Sequence, residues 1–348
     1  MPLSPMRSLA MLNLTRKLVF LTLLLSTSTQ AALFNSDAPI YREQDCFTAP
    51  FSSYDSWIQS MSQKHEKKYG KGEKADNAMQ LFQSMFSREA FDEYKTTIEC
   101  SNYTYKVADT QVKGFAIKPK EAKGKLPVLI YNRGGNGNFG GVVFGHMMSK
   151  LFPLANQQFI IIGSQYRGTF QRNSIAGDEF GGDDVQDVVA LSKLIPHLVN
   201  GNQNKIGMYG ASRGGMQTFL SMKYIPEVKA IAVISGVSNL LTDLEIRPNM
   251  EKVYKKRIPN YDTEKESQLK ARSVMYWLDE LDQRKPILLI HGEKDERVHV
   301  RNAKQLAAAL KERKRPHKLL IYPEGTHSLM EEGQQITSEL ANWFNQNL

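Results

Sequence analysis

The sequence predicts an α/β fold, a mostly parallel central sheet with helices on both faces. Three observations carry that expectation. Short continuous apolar runs recur from residue 126 onward, amphipathic helical patterns fall between them, and one run leads through a glycine-rich turn straight into a helix. Strands buried on both faces lose the apolar–polar alternation of a half-exposed strand, so such runs separated by helices describe a parallel sheet between helical layers.

At the N-terminus, Arg16-Lys17 precedes the apolar run Leu18 to Leu25, a polar small-residue stretch from Ser26 to Gln30, and Ala31-Ala32. This is the layout of a signal peptide over residues 1–31, cleaved after Ala31 with Thr29 and Ala31 at the small-residue positions. The apolar run is far shorter than the roughly 20 residues that span a bilayer. The expectation that follows is an exported protein, periplasmic or secreted, soluble after cleavage, with no stable membrane anchoring.

Residues 32–102 carry helical spacing, as in Met79, Phe82, Met85 and Phe86, around the charged stretch from His65 to Lys74. They are expected to form a small helical N-terminal extension. Cys46 and Cys100 fall within it, and an even count in an oxidising compartment suggests a disulfide. Two buried free thiols also fit, because spacing alone does not bring sulfurs together.

The catalytic domain is expected over residues 103–348. Tyr103 to Val107 and Gln111 to Ile117, with Ala108-Asp109-Thr110 between them, read as an antiparallel hairpin. The later strands are Pro127 to Tyr131, Phe159 to Gly163, Ile206 to Tyr209, Ala230 to Ile234, Ile287 to Ile290 and Lys318 to Tyr322. One helical face runs from Val185 to Ile195, a second comprises Ala303, Leu306, Ala307 and Leu310, and a third Ile336, Leu340, Trp343 and Phe344. Residues 237–285 lack a strand and are rich in charge and aromatics, which suggests a helical lid insert over the sheet edge.

Composition bounds the function. The 348 residues are 41% hydrophobic and 23% charged, values that exclude disordered, collagenous, coiled-coil and polytopic membrane chains. Of the formal charge of +9, three positive residues (Arg7, Arg16 and Lys17) belong to the leader, and the run from Lys311 to Arg315 reads as a solvated helix end. No nucleic-acid partner is expected.

The chemistry begins at Gly210-Ala211-Ser212-Arg213-Gly214-Gly215, directly after the run Ile206 to Tyr209 and before a helical pattern from Met216. This is GxSxG between strand and helix, where a strained turn pushes the serine hydroxyl outward and the glycines let neighbouring chain pass closely. A serine needs a base and a group to orient that base, in the order Ser, acid, His for this layout. Asp295 lies in His291-Gly292-Glu293-Lys294-Asp295 after one strand, and His327 in Pro323-Glu324-Gly325-Thr326-His327 after the next. Glu293 is the rival acid, but Asp295 sits where the chain has turned beyond the strand. The other histidines, His65, His146, His197, His291, His299 and His317, are expected at the surface or in packing roles. Oxyanion donors are expected from the Arg213 N–H and from the loop after the strand Pro127 to Tyr131, at Gly134 and Gly135. No His/Cys/Glu cluster has metal-ligand spacing, so neither metal nor other cofactor is expected.

These motifs resemble the prolyl oligopeptidase family of serine peptidases within the α/β-hydrolase fold. The likeness extends to Tyr166-Arg167-Gly168, to Asp178 through Asp184 with Asp187, and to Val298 after the Asp295 motif. The resemblance implies that Ser212 is the nucleophile, Asp295 the orienting acid and His327 the general base, while Arg167, Asp184 and Asp187 read as scaffold. Two features depart from the family: no propeller fits in the residues before 103, and Arg133-Gly134-Gly135 replaces the usual His-Gly-Gly or Tyr-Gly-Gly. The expectation is therefore an exported serine peptidase acting on short peptides. The alternative is a carboxylesterase for small esters, if Met275, Tyr276 and Trp277 of the insert line an acyl pocket. A non-catalytic binding protein on the same scaffold would not need the three residues in this order.

Overall fold

The computed structural model describes residues 32–171 and 176–348; the leader expected over residues 1–31 lies outside them. Nine strands form one open sheet in the order β1-β2-β3-β5-β4-β6-β7-β8-β9. They are β1 (Ile40–Asp45), β2 (Ile98–Val107), β3 (Thr110–Pro119), β4 (Leu126–Asn132), β5 (Ile160–Ser164), β6 (Gly201–Ala211), β7 (Val228–Ile234), β8 (Ile287–Gly292) and β9 (His317–Tyr322). Pairings are antiparallel from β1 through β3 to β5 and parallel from β5 across to β9. Each apolar run after residue 126 is a strand, in the mixed, helix-covered sheet that the sequence predicts.

Period-two alternation shows how the strands divide the interior. Val128 and Ile130 of β4 and Met208 of β6 enter one hydrophobic cluster, while Leu129, Tyr131 and Tyr209 enter another. The two clusters therefore lie on opposite faces of the sheet.

The segment before β2 combines helices with one strand. It contains α1 (Tyr54–Tyr69), α2 (Glu73–Met85) and α3 (Arg88–Thr97), and it also supplies β1, an edge strand paired with β2. Ser53 and Ser56 cap α1 reciprocally, which satisfies donors that the first helical turn leaves open. Trp57 and Phe91 are buried against Phe144 in the second cluster. Cys46 and Cys100, 54 residues apart, are joined with Cα atoms 5.3 Å apart, so the disulfide closes the loop that contains all three helices.

Next come α4 (Phe144–His146), a π-helical turn (Met147–Leu151) and α5 (Phe152–Ala155), packed on the same face. The helical face expected from Val185 to Ile195 is shorter than its pattern: α6 (Asp184–Val189) passes into two 3₁₀ turns, with Pro196 in the second. The glycine-rich turn around Ser212 leads into α7 (Arg213–Met222). The insert between β7 and β8 is helical, with α8 (Leu240–Ile246), α9 (Glu251–Arg257) and α10 (Tyr261–Ala271). It is followed by α11 (Arg301–Glu312), whose Ala303, Leu306, Ala307 and Leu310 are buried, and by α12 (Gly333–Asn347). The basic run after α11 is only partly solvated. Arg315 is buried and donates to the Leu278 and Asp282 carbonyls, because its guanidinium closes the end of the insert. Among the described residues, no helix is long and apolar enough to cross a membrane.

Candidate active site

Ser212 stands between β6 and α7 with φ 57° and ψ −124°, a conformation that costs a non-glycine residue energy and persists only where the surroundings enforce it. The enforcement is steric. A Cβ at Gly210 would collide with the Gly214 carbonyl, and one at Gly214 with the Asn132 carbonyl of β4. Only glycines let the turn pass so close to its neighbours. The turn leaves Arg213 at the first helical position, where backbone N–H groups have no intrahelical acceptor.

The loop after β4 meets this turn. A Cβ on Gly134 would lie 3.2 Å from Ser212 Cβ, so that loop packs directly beside the serine, and Gly135 has φ 72°. The Arg133 side chain points away into the protein. It is buried, donates to the carbonyls of Gln165, Gly134 and Gly137, and stacks over Tyr166 at 4.6 Å. It shapes the loop and is committed to backbone acceptors.

Beneath the loop lies an ionic cluster that the sequence does not reveal. The Arg213 guanidinium, 2% exposed, donates to Asp178 at 2.7 Å, to Asp184 at 2.6 Å and to the Gly135 carbonyl at 3.0 Å. Asp178 also accepts from the Gly137 N–H at 2.6 Å. Burial would raise the Asp178 carboxyl, but Arg213 and the backbone donors hold it down at about 2. Asp187 pairs separately with Arg167 at 2.8 Å.

Across the site, Asp295 Oδ2 lies 2.8 Å from His327 Nδ1. Its other oxygen accepts from the Arg297 and Val298 N–H groups at 2.8 and 2.9 Å. Glu293, the rival acid, faces outward and pairs with Lys304 at 2.7 Å. Although burial opposes its charge, hydrogen bonds from His291 and His327 hold the Asp295 carboxyl well below the ordinary carboxylate range.

Two histidines depart from the surface or packing roles expected of them. His291 is buried, with Nε2 2.8 Å from the Val298 carbonyl and 3.1 Å from Asp295 Oδ2. Its position four residues before Asp295, across a tight turn, is the signal that could have found it. His146 lines the same cavity as Ser212 and His327 and shares a 2.9 Å hydrogen bond with the Tyr131 hydroxyl. Burial, reinforced by the Lys150 ammonium, pushes it down to about 4.

The cavity measures about 690 Å³ and is lined by Ser212, Arg213, Gly134, Gly135 and His327 together. Asp295 lies behind His327, fully screened. The insert contributes Val237, Asp243, Arg247, Met250, Val253 and Tyr254. The acyl pocket considered for Met275, Tyr276 and Trp277 is not formed by them. None of the three lines the cavity: Trp277 packs into the core under Lys223, and Tyr276 is 48% exposed. Among the described residues, no group of three His, Cys, Asp or Glu side chains is placed to hold a metal ion.

Comparison with known proteins places this site in context. A model of the prolyl oligopeptidase family matches residues 146–348. An uncharacterized peptidase of Bacillus subtilis, YtmA, is 27% identical over 240 residues, which cover 67% of this chain and 88% of that protein. Dipeptidyl peptidase family member 6 of Caenorhabditis elegans is 29% identical over 192 residues, covering 51% of this chain and 25% of that protein. Among solved structures, the acylaminoacyl peptidase of Pyrococcus horikoshii superposes with a TM-score of 0.61 at 22% identity, covering 74% of this chain and 43% of its own. The likeness in structure is one of fold, and the chain spans less than half of that larger protein.

Proposed function

The chain belongs to the prolyl oligopeptidase family of serine peptidases, and from that premise we propose that it is an exported peptidase cleaving short peptides through an acyl-Ser212 intermediate. The observation that carries the reading is the 2.8 Å bond from His327 to Asp295 in a cavity shared with the strained Ser212 turn. Export rests on the leader read over residues 1–31 and on the paired cysteines.

In this mechanism Asp295 accepts from Nδ1 of His327, which leaves Nε2 free to take the Ser212 proton. The Ser212 oxygen bonds to the substrate carbonyl carbon, and the carbonyl electron pair moves onto oxygen. The Arg213 N–H and a glycine N–H from Gly134 or Gly135 stabilise that oxyanion. As the intermediate collapses, the carbon–nitrogen bond breaks and His327 returns its proton to the leaving nitrogen. Water, deprotonated by His327, then releases the acid and restores the serine.

The roles of the remaining cluster are positional. Arg213, Asp178 and Asp184 fix the loop carrying Gly134 and Gly135 against the start of α7, so the two oxyanion donors converge without reorganising during the reaction. No cofactor enters any step.

The test compares kcat/KM for peptidyl arylamides and p-nitrophenyl acyl esters, with Ser212→Ala as the blank. Arylamide turnover comparable to that of the activated esters supports the peptidase; turnover of short esters alone overturns it in favour of an esterase. A fluorophosphonate adduct mapped to Ser212 by mass spectrometry checks the nucleophile independently.

A further inference from the structure

The catalytic cavity draws its walls from both faces of the sheet. Phe180, Val237, Tyr254 and Val298 belong to the hydrophobic cluster on the insert side, whereas Tyr131, Leu151, Tyr209, Leu329, Ile336 and Leu340 belong to the cluster on the α12 side. The cavity therefore wraps over the carboxyl ends of the strands, with Ser212 and His327 between two lobes. The lobes differ in chemistry. The insert side carries the charged side chains Asp243, Arg247 and Arg297, while the α12 side is walled mainly by aliphatic and aromatic groups, with Lys150 as its cation.

We propose that the α12-side lobe is the binding site for the residue on the carboxyl side of the scissile bond, and that it selects a large, uncharged apolar side chain there. This rests on the peptidase reading above. His327 must reach the leaving nitrogen to protonate it, so the leaving group lies against the His327 loop. The residues that follow His327, Ser328, Leu329 and Met330, line this lobe together with α12. Lys150 fixes the loop in place by donating to the Ser328 and Leu329 carbonyls at 3.3 and 3.2 Å.

Charge sets the selection. At the base of the lobe the Tyr131 hydroxyl and His146 Nε2 share a hydrogen bond, burial and the Lys150 ammonium keep that histidine uncharged above about pH 4, and the buried Tyr209 hydroxyl has no partner among the described residues. The cation in the wall is Lys150, which repels a lysine or arginine side chain. A leucine, phenylalanine or tyrosine side chain exchanges water for the walls formed by Leu151, Leu329, Ile336 and Leu340, whereas an alanine leaves them wet. A cavity of about 690 Å³ holds a residue on each side of the cut.

The experiment uses internally quenched peptides with one fixed acyl portion and Ala, Leu, Phe, Tyr, Glu or Lys immediately after the cut. The expected kcat/KM is about tenfold or more higher for Phe, Tyr and Leu than for Ala, and lowest for Lys. Gly333→Leu is the diagnostic variant. A Cβ at Gly333 meets only Lys150 Nζ, at 3.7 Å, so the position takes a Cβ without a backbone clash, and it lines the lobe. The variant should lower kcat/KM for the Phe substrate more than for the Ala substrate and so bring the Phe-to-Ala ratio towards one, and Thr337→Phe, one turn along α12, should do the same. A profile flat within about twofold, a preference for Glu or Lys, or equal losses on Phe and Ala substrates in both variants would overturn the inference.

Binding separates this failure from failure of the peptidase reading. Ligand-observed NMR titration of Ser212→Ala with phenylalaninamide, alaninamide and lysinamide needs no turnover. Tighter phenylalaninamide binding, lost in Ser212→Ala/Gly333→Leu, supports the lobe even if no peptide is cleaved. Equal binding of the three overturns it even if peptides are cleaved.

Discussion

Asp295 and Asp178 are both buried carboxylates, and both are held in their charged form by nearby donors. Their partners differ in kind. Asp295 is bonded to two imidazoles and two backbone N–H groups, and one of those imidazoles, His327, opens on the cavity. Asp178 shares the Arg213 guanidinium with Asp184, and all three side chains are sealed from solvent. A depressed carboxyl alone does not mark a reacting group. What separates the two clusters is whether a partner can exchange a proton with something in the cavity; an imidazole can, and a guanidinium paired with two carboxylates cannot.

The contrast can be broken most severely at the reacting side. Ser212→Ala should lower kcat by about 10⁴-fold or more with the melting temperature nearly unchanged, since the alanine removes only the nucleophilic oxygen. Asp295→Asn should cost about 10⁴-fold, because an amide cannot hold His327 in the tautomer that frees Nε2. Both are measured as kcat with a parallel thermal melt. Retention of most of the rate by either variant would remove the reacting cluster from the comparison.

Arg213→Met strikes the other cluster and keeps the backbone N–H. It leaves Asp178 and Asp184 buried without their counter-ion, so stability should fall by about 3–5 kcal/mol in urea unfolding. Activity, read per folded molecule, should fall through the displaced Gly135 carbonyl rather than through lost chemistry.

Acid sharpens the contrast with smaller effects. The folded-state carboxyl of Asp178 lies below its unfolded value, so its stabilisation is complete above about pH 4 and is lost as pH falls towards about 2. The loss amounts to about 2 kcal/mol and should appear as an acid limb in urea midpoints, absent in Asp178→Asn. His146 gives a second limb at higher pH. Its folded value of about 4 lies below the free imidazole value, so stability is present above about pH 6.5 and declines towards pH 4 as the unfolded chain takes up the proton. His146→Gln should flatten that limb; an unchanged profile would mean that the ring titrates freely in the cavity.

Legibility in the sequence followed the physical source of each feature. The strands from β4 to β8 announce themselves because burial on both faces demands continuous apolar residues. β1 does not. Its Ile40-Tyr41-Arg42-Glu43-Gln44-Asp45 is mostly exposed and joins the sheet through backbone bonds to β2, which leave no mark on side-chain type. The serine turn is legible because only glycine fits at Gly210 and Gly214. His291 and His146 are not, since one imidazole looks like another until its neighbours are placed.

The sequence by itself determined the layered α/β class, the serine turn and the order of its candidate partners, because apolar runs, obligatory glycines and strand-end motifs are each enforced within a few residues of chain. Tertiary structure alone decided that Asp295 meets His327 across 32 residues, that Arg213 is claimed by Asp178 and Asp184, and that the cavity has two unlike lobes. Those outcomes depend on which distant side chains share a buried space, where every charge must find its partner, and local spacing does not encode that choice.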